Sequence, residues 1–173
     1  MAFDTEFPDI LRELLEHEFE YREDGGIDFE PYEAFQDAAE NADWIRAWTG
    51  NQELDAAEYR FFGADGTGGM AGFWLVREGA DLLDQPIVFF GSEGEVGMVA
   101  YDFADFCWLL ADGVGPLEAV EYGADDPTPE DAFVEFATKH VPDAKKSGAD
   151  VLKRANEAFP TFQDDFMKLC QYD

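Results

Sequence analysis

Apolar residues recur at Ile10, Leu11, Leu14, Leu15 and Phe19, just behind Pro8. This three-to-four spacing predicts a helix that buries one face and carries proline in its first turn. Asp24-Gly25-Gly26 breaks the pattern. A second helix is predicted from about Pro31 to Trp48, with Phe35, Ala38, Ala42, Ile45 and Trp48 on its inner side and Gly50-Asn51 at its exit. From Tyr59 onward the texture changes to short aromatic and β-branched runs bounded by glycine, the mark of strands joined by tight turns. Strands are predicted near Glu58–Phe62, Met70–Val76, Pro86–Phe90 and Val96–Tyr101, with Gly91-Ser92-Glu93-Gly94 as the hairpin turn between the last two.

Helical spacing returns at Phe103, Phe106, Cys107, Leu109 and Leu110, with Asp102 placed to cap the helix and Gly113 to stop it. A loop through Gly115-Pro116 and Asp125-Asp126-Pro127 then leads to Thr128, read as the cap of a helix from Pro129 to about His140 with Phe133, Phe136 and Ala137 inward. Two further helices are expected at about Ala149–Ala158 and Thr161–Leu169. There is no internal repeat and no low-complexity linker, so residues 1–173 read as one domain. Consecutive strands flanked by helices predict α+β architecture, an antiparallel meander of about four to six strands packed against helices.

Composition adds two facts. The 17 Phe, 6 Tyr and 4 Trp supply a full core, so the acidity is not a sign of disorder. The charge is extreme: 11 Lys and Arg against 40 Asp and Glu leave −29. A field of that sign repels nucleic acid and anionic membranes and speeds encounters with a basic protein. Solubility, or adaptation to a salty cytoplasm, accounts for the same composition, and sequence does not separate the two readings. Neither a basic-then-apolar leader nor a run of about 18 apolar residues occurs, so the expected location is cytoplasmic with no membrane contact. Cys107 and Cys170 lie far apart in apolar-patterned segments without metal-ligand spacing, and read as reduced core residues.

Three stretches together carry a family resemblance: Phe61-Phe62-Gly63-Ala64-Asp65-Gly66-Thr67-Gly68-Gly69-Met70-Ala71-Gly72-Phe73-Trp74, then Gln85-Pro86-Ile87-Val88-Phe89-Phe90-Gly91-Ser92-Glu93-Gly94-Glu95, then Asp102-Phe103-Ala104-Asp105-Phe106. In order and spacing they resemble the core of the SMI1/KNR4 (SUKH) family over about residues 29–115. Pro31-Tyr32-Glu33-Ala34-Phe35 looks like that family's earlier helix. The N-terminal helix and the helical C-terminal region match no motif of the family. The resemblance implies a binding protein without a catalytic set: bacterial members are often immunity proteins that neutralise toxins, many of them nucleases, and fungal members act as interaction hubs.

The glycine cluster Gly63 to Gly72 lacks a Gly-Lys-Ser/Thr and leads into strand-like residues, so it reads as a structural turn and not a phosphate cradle. The paired carboxylates Glu93/Glu95, Asp125/Asp126 and Asp164/Asp165 lack the alternation of a calcium loop and read as solvated surface. His17, His140 and Ser92 have no companion motif for nucleophilic catalysis. No cofactor, no metal site and no enzyme activity are therefore expected. Trp74 and Trp108 read as core, whereas Trp44 falls off the stripe and is the expected exposed anchor. The expected partner surface is Asp65, Glu93, Glu95, Asp125 and Asp126 on loops, with Trp44. The expected partner is a protein, basic and nuclease-like if it is a toxin. The alternative is an intracellular scaffold or regulatory module, and a hydrolase or metal enzyme is the third reading.

Overall fold

Phe61 and Phe62 are neighbours in sequence and both fully buried, which an extended chain achieves only when its sheet is covered on both faces. The computed structural model describes residues 4–19, 21–22 and 25–171. Among these, β1 (Tyr21–Arg22) and β2 (Gly25–Gly26) form a small ribbon. β3 (Glu30–Pro31), β4 (Tyr59–Ala64), β5 (Met70–Trp74), β6 (Ile87–Phe90) and β7 (Val96–Ala100) form one antiparallel sheet in that order. The predicted meander is therefore present, with β3 added at its edge.

Among the described residues seven α-helices surround the sheet: α1 (Asp9–Leu15), α2 (Ala38–Thr49), α3 (Phe103–Ala111), α4 (Pro116–Tyr122), α5 (Asp131–His140), α6 (Gly148–Ala158) and α7 (Phe162–Met167). Alternation along the strands sends Phe62, Ala71, Phe73, Ile87 and Phe89 into a core with residues of α1, α3 and α5. Tyr59, Phe61, Met70, Val88 and Phe90 go to a second core, with Ile45 of α2 and Phe162 and Phe166 of α7. α3 is apolar nearly all round, so it lies inside the molecule; even its single charged residue after the cap, Asp105, is buried. The register slips between Ile87 and Val88, leaving Val99 as an extra residue of β7. This bulge lets Val99 and Ala100 join the same core.

Close approach requires glycine at position 63. A Cβ at Gly63 would stand 2.2 Å from the tip of the Phe29 ring, so the ring closes over the bare backbone of β4.

Several boundaries differ from those predicted. The first helix ends at Leu15, and Phe19 packs on the core from beyond it. Of the breaker, Asp24 lies outside the described residues and the two glycines form β2. The second helix starts at Ala38 and not at Pro31, because Asp37 caps it by accepting from the Glu40 amide at 2.8 Å, while Pro31 has already entered the sheet. The segment 31–35 is thus strand and loop. Phe35 is buried, with its amide bonded to Thr5. α4 occupies part of the expected loop, with Pro116 in its first turn. Thr128 does not cap α5, which begins at Asp131; the Thr128 amide instead bonds to the Asp112 carbonyl. Asp102 does cap α3, accepting from the Asp105 amide at 2.9 Å. Among the described residues no helix is long and apolar enough to cross a membrane.

Candidate partner-binding surface

The two hairpin turns of the sheet, residues 65–69 and 91–95, lie at the same end, because β4–β5 and β6–β7 both reverse there. They are tied together, since the Ser92 hydroxyl donates to Thr67 Oγ1 at 2.9 Å. Trp48 donates its indole N–H to the Gly91 carbonyl at 2.7 Å and fixes the second turn to α2. The Gly66 amide donates to Asp28 Oδ1 at 2.9 Å, which adds a third strut. The end of the sheet is therefore a braced platform and not a pair of loose loops.

The expected site residues divide on it. Glu93 is exposed at the tip of its turn and Glu95 half-buried at its foot. Asp65 is not a surface contact: it is only 4% exposed. Its Oδ1 accepts from the Thr67 amide at 2.6 Å, from the Thr67 hydroxyl, and from the Gly69 amide at 3.4 Å. The carboxylate builds the turn from inside, as Asp does when it bonds backbone two residues on. Replacing Asp65 with alanine is expected to cost about 1–3 kcal/mol of unfolding free energy through the stranded amides. Glu93→Ala is expected to change it by less than about 0.5 kcal/mol. Urea denaturation of the two variants checks the contrast.

Asp125 and Asp126 are exposed but stand on a different support, the connection from α4 to α5. Ala124 just before them packs against Gly148 at the start of α6. Trp44 is also not the anchor expected. It is half-buried, with its ring edge-to-face on Phe61 (5.6 Å) and Phe90 (6.1 Å). The inward face of α2 is rotated from the one predicted: Asn41, Ala42, Ile45 and Thr49 are buried and Ala38 is exposed. Polar Asn41 tolerates this because its amide donates to the Tyr59 carbonyl at 3.1 Å.

Sequence reasoning missed Tyr122, a large aromatic at the end of α4 that is 75% exposed. The missed signal was Pro116, which opens that helix. It also missed Glu118, whose Oε1 accepts from the Gly115 amide at 3.2 Å and whose Oε2 accepts from the Asp28 amide at 3.3 Å. Burial, with Asp28 nearby, pushes the Glu118 carboxyl up to about 7.

Burial pushes the Cys107 thiol up, away from thiolate chemistry. The His17 ring lies against Glu13 and Leu14 carbonyls, and His140 Nε2 lies 3.2 Å from Glu13 Oε1. A cleft of about 510 Å³ is lined by Phe35, Arg60, Leu75, Arg77 and Gln85 among others, and among the described residues no His, Cys or Ser stands in its wall. Among the described residues no group of three or more His, Cys, Asp or Glu side chains is placed to hold a metal ion. Comparison of the chain with family models, curated proteins and solved structures finds no match.

Proposed function

We propose that this chain is a non-catalytic protein-binding domain whose acidic surface occupies a basic partner, most concretely an immunity protein that blocks the cationic cleft of a toxin. The observation that carries this reading is the charge of −29 combined with the braced platform, where exposed Glu93 sits on turns that contain no lysine or arginine. A rigid anionic surface accelerates encounter with a cationic groove and loses little entropy on docking. The sequence resemblance to the SMI1/KNR4 (SUKH) family supports the same class of function. The engaged histidines, the buried Cys107 thiol and the Ser92 hydroxyl committed to Thr67 support a role without catalysis.

Affinity capture from the native lysate with the tagged chain, at low and at high salt, tests the proposal. Recovery of a basic protein that is lost as salt rises is expected. Retention of a neutral or acidic complex that ignores salt would move the function to a scaffold held by other faces.

A further inference from the structure

Tyr122 closes α4 with its side chain 75% exposed, whereas Val76, Met167 and Leu169, the other exposed large apolar side chains among the described residues, stand at 38–40%. The helix itself turns the ring outward. Pro116 and Ala119 are buried, and Val120 packs on β7, where a Cβ at Gly97 would stand 3.2 Å from Val120 Cγ2. Tyr122 follows Val120 by two residues, about 200° round an α-helix, so its ring leaves the sheet as Val120 meets it.

The segment that carries the ring is acidic and held at both ends. Glu121 precedes Tyr122, and Asp125 and Asp126 follow it; all three are exposed. From Glu78 to Thr138 the chain carries no Lys or Arg, so α4 and the connections on both sides of it supply no cation. At the start of α4, Glu118 accepts from the Gly115 amide at 3.2 Å and from the Asp28 amide at 3.3 Å, and the Asp28 side chain accepts from the Gly66 amide at 2.9 Å. At its end the Gly123 amide bonds to the Glu118 and Ala119 carbonyls, and Ala124 is buried against Gly148. The aromatic ring is thus presented to solvent on a braced support that adjoins the 65–69 turn.

We propose that Tyr122 is the anchor of the protein interface and that it receives an arginine side chain of the partner. This rests on the reading that the acidic surface meets a basic protein, and adds the place and the side chain. A guanidinium lies flat on an aromatic ring and still offers N–H donors at its edge to nearby carboxylates. Glu121, Asp125 and Asp126 stand on either side of the ring in the chain to accept them. A lysine ammonium brings the charge without the planar fork that stacks and bonds together. The chain makes the same pairing internally, with the Arg154 and Arg77 guanidinium carbons 3.7 and 4.0 Å from the centre of the Tyr101 ring. Tyrosine and arginine are enriched among the side chains that dominate binding energy, and a ring on a rigid support loses little freedom on docking.

The test is a titration of the isotopically labelled full chain at low salt with two probes, an oligoarginine and an oligolysine of equal length, followed by nuclear magnetic resonance. The arginine probe is expected to shift the Glu121, Tyr122, Asp125 and Asp126 amides and to bind more tightly than the lysine probe. Tyr122→Ala is expected to weaken the arginine probe about fivefold and the lysine probe by less than about twofold, which removes the preference, whereas Tyr122→Phe keeps the ring and the preference. Equal binding of the two probes by the wild type, or arginine binding unchanged in Tyr122→Ala, would overturn the anchor. With shifts confined to the 65–69 and 91–95 turns, that result would leave the acidic platform standing as the docking surface. Failure of both probes to bind would overturn the anchor and the platform together. Should Tyr122→Ala not fold, the wild-type preference, its map of shifts and Tyr122→Phe decide the proposal.

Discussion

Replacing Lys146 and Arg154 together with methionine is expected to lower the unfolding free energy by about 3–5 kcal/mol, the cost of leaving a buried charge without its partners. Asp105 in the first turn of α3 is 0% exposed, and both cations reach it. Lys146 Nζ bonds its Oδ1, while Arg154 Nη1 lies 3.2 and 3.1 Å from its two oxygens. The guanidinium of Arg154 also lies 3.7 Å from the centre of the Tyr101 ring, which Arg77 approaches at 4.0 Å. α6 is thereby fastened to α3 through charge and to the end of β7 through an aromatic ring. The same double replacement in an Asp105→Asn background is expected to cost only about 1–2 kcal/mol, since no buried charge is then stranded. Chemical denaturation of the four chains gives the coupling. Additive effects would mean that the two cations contribute packing alone.

Phe90→Ala is expected to cost about 3–5 kcal/mol, a large share of the about 5–15 kcal/mol typical of a folded domain. Phe90 is fully buried at the centre of the second core. Its ring centre lies within 4.6 Å of Phe166, 5.3 Å of Tyr59 and 5.9 Å of Trp48, with Phe61, Trp44 and Phe162 slightly farther. These partners come from β4, α2 and α7, so the cavity would loosen three elements at once. Phe90→Leu retains most of the volume and is expected to cost less, about 1–2 kcal/mol. Thermal unfolding followed by tryptophan fluorescence reads both, because Trp44 and Trp48 border the site.

Strands β4 to β7 were legible because glycine punctuates them and their side chains alternate between two cores, and the 65–69 and 91–95 turns follow from the same signals; β1, β2 and β3, each two residues long, carry no such pattern. The start of α2 was not legible. Phe35 and Ala38 continue a helical spacing in sequence, yet Phe35 is buried from a loop and Ala38 faces solvent. Capping by Asp37 and the pairing of Pro31 with Gly63 decide the boundary, and the latter is a contact between distant residues that periodicity does not encode. Trp44 was misplaced by the same rotation. At the candidate surface, Glu93, Asp125 and Asp126 are exposed as their turn residues suggested, whereas Asp65 is not. An aspartate followed by Gly-Thr-Gly reads equally as a surface charge or as the inner brace of its own turn. Backbone amides facing inward choose the second, and they become visible only once the turn is built.

The central claim is that the acidic platform docks a basic partner by electrostatic attraction. The most direct measurement is the association rate of the captured partner with the wild-type chain and with Glu93→Lys, as ionic strength rises from about 0.01 M to about 0.1 M, where the screening length falls from about 30 to about 10 Å. The account predicts a wild-type rate that drops roughly tenfold or more over that range, and a slower, flatter profile for Glu93→Lys. A rate indifferent to salt, with Glu93→Lys indistinguishable from wild type, would contradict it.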